Sequence, residues 1–300
     1  MNAASKLTGD SASATQGSLG RSRGEVYHPS INISFPRPLI GSGGISTRLL
    51  VLPALFLIGL FAVPLIALTA RAINPDFFQY ALSDQAITAL HLSLRTSLIT
   101  VLIMILGGTP LAYILARWKF PFKSRLEVLV DLPIVLPPAV AGIALLIAFG
   151  RQGWLGLILN SLNIHLPFTT AAVVIAQTFV AAPLDVRAAR IGFAQIDSQT
   201  EEAAQVEGVN HWQLFSYIML PLAGRALLSG IILTWTRALG EFGATMLFAG
   251  NLQGVTQTMP MSIYLGFESN LGMAIAMAMT LVVFSVVVLG ITRQLEKHED

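Results

Sequence analysis

The stretch EAAQVEG, residues 202–208, is a polar segment between two apolar runs that are each long enough to cross a membrane. It carries two carboxylates, Glu202 and Glu207, in a chain of 300 residues that is otherwise poor in charge. Charged side chains are costly inside a bilayer, so this segment must either face water or contact a partner protein. The organisation and the function of the chain depend on which of these two environments the segment occupies.

The composition of the chain places it among membrane proteins. Hydrophobic residues make up 54% of it and charged residues only 11%, and its mean hydropathy is +0.69. The chain has no cysteine, which excludes disulfides, thiolate metal sites and thiol catalysis. The net charge of +2 is too small to indicate nucleic-acid binding.

Apolar runs predict six transmembrane helices, since a helix that crosses the hydrocarbon core needs about 20 apolar residues. The predicted spans are 49–70, 96–116, 132–150, 166–184, 226–250 and 271–292. The fifth of them is interrupted by Arg237 and Glu241. The predicted fold is therefore an all-α polytopic membrane protein with one transmembrane domain over residues 49–292.

The distribution of Lys and Arg predicts that both termini are cytoplasmic, because cytoplasmic flanks retain positive charge. In that orientation the outer segments hold only Arg71, Arg95 and Arg151. The loop 185–225 is then cytoplasmic. Residues 1–48, rich in Ser and Gly and without apolar periodicity, are predicted to be a mobile cytoplasmic tail, and 293–300 a short cytoplasmic one. The Ser-rich start also fits an organelle transit peptide.

The loop 185–225 contains the signals of a short helix. Ser198 and Glu201 have the spacing of a capping box, which predicts a helix that begins near Gln199. Gly208 suits the left-handed position that ends a helix. Ala204 and Gly208 are four residues apart, with Ala203 beside them, and should form a smooth face that another backbone can approach.

A second, amphipathic helix is predicted after the turn. Trp212, Phe215 and Met219 recur at helical spacing, and Pro221 stops or bends the chain as it returns to the bilayer. Two short helices and a turn have the anatomy of a docking element. The alternative is an ordinary interfacial loop whose charges are solvated.

Two intramembrane features are candidates for function. Arg237 and Glu241 are four residues apart, so they can pair on one helical face, either as a structural ion pair or along a translocation path. Gly240 and Gly243 allow close packing or bending there.

Pro133, Pro137 and Pro138 crowd one end of the third span, which predicts either a broken helix that lines a cavity or a packing kink. The five histidines show no metal-ligand spacing, and no nucleophile elbow occurs in the chain.

The order of residues in the loop resembles the EAA loop of ABC-transporter membrane subunits. The resemblance is carried by seven positions: Glu202, Ala203, Ala204, Gly208, Ile218, Leu220 and Pro221. Together with Glu207, whose carboxylate can fix orientation through polar contacts, they are the residues predicted to couple to an ATPase. The resemblance implies a coupling helix seated in a cleft of a separate ATPase subunit. The chain has no G-x-x-x-x-G-K-[ST] phosphate loop. We therefore expect the partner ATPase to bind ATP and Mg, and we expect no cofactor in this chain. Members of this family engage two ATPases through two such loops, and this chain has one. The resemblance therefore implies a second permease chain, either an identical copy or a sister chain.

Three further stretches resemble the molybdate/tungstate permease subunit of type I ABC importers. They are LPPAVAGIALL (136–146), RALGEFGAT (237–245) and AGNLQGVTQTMPMSIY (249–264). The resemblance covers about 49–292 and implies a bacterial inner-membrane subunit, an alternating-access cycle, and an oxyanion-binding protein outside the membrane that faces residues 250–271. The residues it places along the pathway or gate are Arg237, Gly240, Glu241, Gly243, Thr245, Pro137 and Pro138.

Three other functions stay open at this point. Sulfate/thiosulfate permeases are close relatives, and sulfate is likewise a tetrahedral divalent oxyanion. A secondary anion transporter would use ionisable relays or broken repeat helices, of which the chain shows one Arg/Glu pair and no obvious inverted duplication. An intramembrane enzyme would need a nucleophile and a base, and the sequence contains no such constellation.

Overall fold

The computed structural model describes residues 45–297, which are helices and connections without a strand. Among the described residues, the chain divides between Phe56 and Leu57 into two units. The predicted N-terminal tail lies outside the described residues up to position 44, as do the last three residues of the C-terminal tail. The first helix begins at Ile45 and the last ends at Lys297. Residues 45–48 of the predicted N-terminal tail and 293–297 of the predicted C-terminal tail are therefore helical.

The helices are numbered here in chain order. They are α1 Ile45–Ala72, α2 Phe77–Ala81, α3 Asp84–Arg117, α4 Lys123–Val135, α5 Pro138–Phe149, α6 Trp154–Ser161, α7 Thr170–Gln195, α8 Ser198–Val206, α9 His211–Leu222, α10 Gly224–Leu239, α11 Gly243–Ala249, α12 Met259–Ser269 and α13 Leu271–Lys297. Two of them contain a π-helical segment, Met104–Gly108 in α3 and Leu214–Met219 in α9.

The membrane-crossing helices agree with the predicted all-α polytopic fold. Among the described residues, α1, α3, α7 and α13 are each long and apolar enough to cross a membrane. Two further spans are bent pairs, α4 with α5 at 120° and α9 with α10 at 77°. Counting each bent pair as one span gives the predicted six.

Two helices extend beyond the predicted apolar spans. Helix α3 begins at Asp84 rather than near 96, because the Ser83 hydroxyl accepts the Ala86 N–H and caps an earlier turn. Arg95, predicted in the outer flank, therefore lies within a helix. Helix α7 continues to Gln195, through Pro183 and a fully buried Asp185. The loop predicted from 185 thus begins only after α7 ends.

The fifth span was predicted as one run over 226–250, and the structure breaks it. Helix α10 ends at Leu239, residues 240–242 are not helical, and α11 starts at Gly243. Arg237 and Glu241 therefore lie on either side of a helix end rather than on one continuous helical face. At this break the Glu241 carboxylate accepts the Ala244 N–H, a backbone donor that the start of α11 leaves free.

Apolar side chains pack in separate clusters along α7. The first cluster joins the end of α3 to α7, α8 and α9, and it includes Leu115, Phe193, Leu214 and Met219. The second lies where α5 and α11 pack against the first half of α7, around Phe248. Burial of these side chains holds the short helices α8 and α11 in place, since helices of so few residues are not stable alone in water.

Candidate coupling helix and ion-pair site

Helix α8 is an independently capped helix of nine residues. Asp197 is its N-cap, and the Asp197 carboxylate accepts the Gln199 N–H at 3.0 Å. The predicted capping box of Ser198 and Glu201 was wrong, because Ser198 is already the first helical residue and Glu201 pairs with Arg117 instead, Oε1 to Nε at 2.8 Å. A capping box does start α9, where Asn210 and Gln213 exchange bonds of 2.9 and 3.0 Å.

The predicted end of this helix is confirmed. Gly208 has a φ of +79°, the left-handed conformation that favours glycine. Its N–H donates to the Gln205 carbonyl at 3.0 Å, and the Val209 N–H donates to the Ala204 carbonyl at 3.1 Å. These two bonds satisfy the last carbonyls of α8. The chain can then turn directly into α9.

The exposed face of α8 differs from the predicted one. Glu202, Ala203, Val206 and Glu207 are exposed, and Val206 keeps 86% of its accessible surface. Ala204 is buried in the first cluster, so the prediction that it shares a free face with Gly208 was wrong. Its small side chain serves the opposite purpose, since it packs into the first cluster beneath α8. An apolar Val206 between two carboxylates remains on the free side.

Two of the three remaining motif positions lie beneath α8 rather than on its free face. Ile218 and Leu220 pack against the first cluster, whereas Pro221 is exposed and precedes the bend between α9 and α10. Of the predicted amphipathic stripe, Met219 is fully buried and Trp212 is 71% exposed. Ile218, Met219 and Leu220 therefore support α8 from beneath.

The ion pair of Arg237 and Glu241 is formed. The guanidinium and the carboxylate oxygen Oε2 are 2.7 Å apart; the Glu241 side chain is 1% exposed and that of Arg237 is 34% exposed. The other carboxylate oxygen, Oε1, accepts the Ala244 N–H at 2.8 Å in the first turn of α11. One buried carboxylate therefore neutralises Arg237 and also satisfies a backbone donor that the helix break leaves free.

The two helix breaks meet in space. A Cβ atom added at Gly243 would lie 2.8 Å from Cβ of Pro138, and one added at Gly142 would lie 2.8 Å from the Ala244 carbonyl oxygen. Glycine is thus required at both contacts of α5 with α11. Gly240 is exposed and Thr245 is buried. Pro137 and Pro138 form the 120° bend, so the broken-helix interpretation of the proline cluster applies rather than a mild kink.

Sequence reasoning missed a buried polar stripe on α3. Its hydroxyls are fully buried: Ser93, Thr96, Ser97 and Thr100. The Ser97 hydroxyl accepts the Trp235 indole N–H at 3.0 Å, and the Ser93 hydroxyl accepts the Met259 N–H at 2.7 Å. The spacing of these residues by three and four within an apolar run is the signal that could have revealed the stripe.

Asp185 was predicted at the start of the cytoplasmic loop, but it lies within α7. It is fully buried in α7, and neither carboxylate oxygen has a hydrogen-bond partner among the described residues. Gly108 of α3 and Gly230 of α10 pack against the carboxylate, since added Cβ atoms would lie 2.8 and 3.3 Å from its oxygens. Within residues 45–297 no group of three acidic, histidine or cysteine side chains could hold a metal ion.

Comparisons with known proteins agree with this architecture. Residues 108–299 match the family model described as binding-protein-dependent transport system inner membrane component. The chain is 40% identical over 245 residues to "Molybdenum transport system permease protein ModB" of Mycobacterium bovis, covering 81% of this chain and 93% of the relative. It is 34% identical over 216 residues to "Probable sulfate transport system permease protein cysT" of Chlorokybus atmophyticus, covering 71% and 76%.

The fold has solved counterparts. A chain of a bacterial ABC transporter involved in the import of alginate superposes with a TM-score of 0.71 at 16% identity, covering 84% of this chain and 95% of that chain. At this identity the likeness concerns the fold alone. The family match spans more than half of the chain and the ModB match most of it, so this protein belongs to the inner membrane components of binding-protein-dependent transport systems.

Proposed function

We propose that this chain is the membrane-spanning permease subunit of an ATP-driven importer of molybdate-type oxyanions, molybdate or tungstate. The observation that carries the proposal is α8, a separately capped helix with two exposed carboxylates and an exposed Val206, attached to the ends of two membrane-crossing helices. Such an element suits docking on a partner that moves.

The partner of α8 in this proposal is a separate ABC ATPase, which binds ATP and Mg. Glu202 and Glu207 present negative charge on the free face, and Ala203 and Gly208 let the partner approach closely. Of the remaining motif residues, Ala204, Ile218 and Leu220 act by supporting α8 from beneath, and Pro221 by setting the bend between α9 and α10. Two ATPases require two such helices, so the permease is proposed to be a homodimer.

The choice of substrate rests on the relatives. Matches named for molybdenum transport reach 40% identity over 245 residues, whereas the sulfate permease of Chlorokybus atmophyticus is 34% identical over 216 residues. A sulfate/thiosulfate permease is the second candidate, because sulfate has the same shape and charge. Selection between them is proposed to rest mainly on a separate solute-binding protein.

The outer side of the permease is proposed to receive that binding protein. Residues 252–255 are exposed, whereas Thr256, Gln257 and Thr258 are buried against the bundle. A chain of similar fold was solved with a periplasmic protein bound to alginate pentasaccharide. By analogy, residues 250–271 would face the binding protein, and both termini would lie in the cytoplasm of a bacterium.

The ion pair is proposed to form part of the pathway or its gate. An arginine that is already neutralised by Glu241 can attract a divalent oxyanion without holding it tightly, because the anion must compete with a carboxylate 2.7 Å away. Gly240, Gly243, Thr245, Pro137 and Pro138 surround the two helix breaks and would let this junction move in an alternating-access cycle.

Uptake of labelled molybdate into proteoliposomes that carry this chain, its ATPase and its binding protein tests the substrate. We expect ATP-dependent accumulation that excess tungstate suppresses and excess sulfate does not. Accumulation of labelled sulfate would instead establish the second candidate. Uptake that continues without ATP and stops when the ion gradient collapses would identify a secondary transporter and overturn the proposal.

The docking face is tested by charge reversal. Glu202→Lys is expected to abolish co-purification of the ATPase while membrane insertion is retained. Glu268→Lys, the same change at an exposed carboxylate of α12 in the outer segment, is the matched control and should leave recovery of the ATPase unchanged. Equal recovery of the ATPase with both variants would show that α8 is not the docking element.

A further inference from the structure

The only direct polar attachment of α8 to a membrane-crossing helix, among the contacts described, is a single guanidinium. Arg117, the last residue of α3, pairs through Nε with Glu201 in the first turn of α8 at 2.8 Å. The same guanidinium donates to the carbonyl of Ile196, the residue that directly follows α7, at 2.6 Å. The side chains of Arg117 and Glu201 are only 14% and 19% exposed.

This attachment limits movement of α8 relative to α3, which the apolar contacts of α8 do less well. Ala204 meets the first cluster through van der Waals contact, which permits sliding. The guanidinium holds two elements at once, the Glu201 carboxylate through an ion pair and the Ile196 carbonyl through a hydrogen bond, so it fixes the separation of α3 from the first turn of α8. Partial burial reduces screening by water, and the interaction is therefore stronger than at a free surface.

Helix α3 extends from this attachment to the opposite end of the bundle. It has 34 residues, a length of about 50 Å. Its Ser97 bonds the indole of Trp235, two residues before Arg237, and its Ser93 bonds the backbone at Met259. Near its start, the Gln85 amide donates to Ser262 at 3.2 Å. One helix thus contacts α8, the turn of α10 that carries Arg237, and the outer segment.

We propose that Arg117 is the positioning residue that transmits displacement of α8 to α3, and through α3 to the ion-pair site and the outer segment. The inference rests on the proposed docking of α8 on an ATPase. Without the guanidinium, the ATPase would still bind α8, but its closure would move α8 relative to α3 instead of moving both. ATP would then be hydrolysed with little import.

The test measures ATP hydrolysed per molybdate imported by the complete transporter in proteoliposomes. Arg117→Gln and Glu201→Gln are each expected to raise this ratio about tenfold, with the ATPase still co-purifying. The double variant should be no worse than Arg117→Gln alone, because Arg117→Gln already removes the contact with Glu201. Charge exchange, Arg117→Glu with Glu201→Arg, should recover part of the coupling.

The matched control is Arg190→Gln. Arg190 pairs with Glu127 at 3.0 Å, with side chains 27% and 29% exposed, and joins α7 to α4 without contacting α8. Its loss should leave the ratio unchanged. A ratio near the wild-type value in Arg117→Gln, or an equal rise in Arg190→Gln, would overturn the inference. Loss of ATPase binding in Arg117→Gln would overturn it too, since Arg117 would then shape the docking face itself.

The two proposals fail in different ways. If Glu202→Lys leaves the ATPase bound, docking through α8 is wrong and the proposed role of Arg117 is lost with it. If Glu202→Lys releases the ATPase but Arg117→Gln remains fully coupled, docking stands and only the role of Arg117 is wrong. Should Arg117→Gln fail to insert, Glu201→Gln measures the same contact from the side of α8.

Discussion

Two buried carboxylates, Glu241 and Asp185, lie in opposite electrostatic surroundings. Glu241 has the Arg237 guanidinium and the Ala244 N–H as partners, whereas Asp185 contacts two glycines and has no hydrogen-bond partner among the described residues. Removing charge should therefore have different effects at the two sites. Glu241→Gln weakens a paired site, while Asp185→Asn replaces an unpaired carboxyl by a neutral isostere that is less costly to bury.

We expect Glu241→Gln to lower the free energy of unfolding by about 1–3 kcal/mol, because a buried group loses a charged partner. Asp185→Asn should leave it unchanged or raise it. Thermal unfolding of both variants in detergent checks this. An equal loss of stability in both would mean that Asp185 has a partner in the assembled transporter.

Two glycines of RALGEFGAT differ in the space around them. A Cβ atom at Gly243 would lie 2.8 Å from Cβ of Pro138, and one at Gly240 would meet only the Thr236 carbonyl, at 3.7 Å. Gly243→Ala should therefore lower the free energy of unfolding by about 1–3 kcal/mol through overpacking, and Gly240→Ala should not. The thermal unfolding midpoints of the two variants in detergent test this prediction. Equal midpoints would show that α5 and α11 separate easily.

At the scale of the element, the N-terminus of α8 has two candidate capping residues, Asp197 and Ser198. The Asp197 carboxylate accepts the Gln199 N–H, so Asp197→Ala should destabilise α8 by about 1 kcal/mol. Ser198→Ala should have almost no effect, since Ser198 is already helical. Hydrogen exchange of the α8 amides measures the local opening. Faster exchange in Ser198→Ala than in Asp197→Ala would restore the capping box expected from sequence.

At the scale of the whole molecule, the orientation can be tested in the natural sequence, which has no cysteine. Gln205 in α8 and Gln253 in the outer segment are both exposed. With α8 in the cytoplasm, a membrane-impermeant maleimide should label Gln253→Cys in intact cells and Gln205→Cys only after permeabilisation. The reverse pattern would invert the orientation predicted from Lys and Arg, and would leave α8 out of reach of a cytoplasmic ATPase.

The sequence by itself determined the features that depend on near neighbours. Apolar run length predicted the membrane-crossing helices, a glycine suited to positive φ predicted the end of α8, and a spacing of four predicted the pair of Arg237 and Glu241. The seven-point EAA pattern pointed to the family that the comparisons confirm. These features are readable because propensity and local spacing act over a few residues.

Only the tertiary structure decided which contact each local signal serves. Glu201 could cap its own helix, yet it pairs with Arg117 because the ends of α3 and α7 lie beside it. Ala204 could face a partner, yet it faces the first cluster. The break before α11 and the burial of Asp185 likewise depend on helices that are distant in sequence. Competing local and long-range contacts are resolved by packing, and packing is a property of the folded chain.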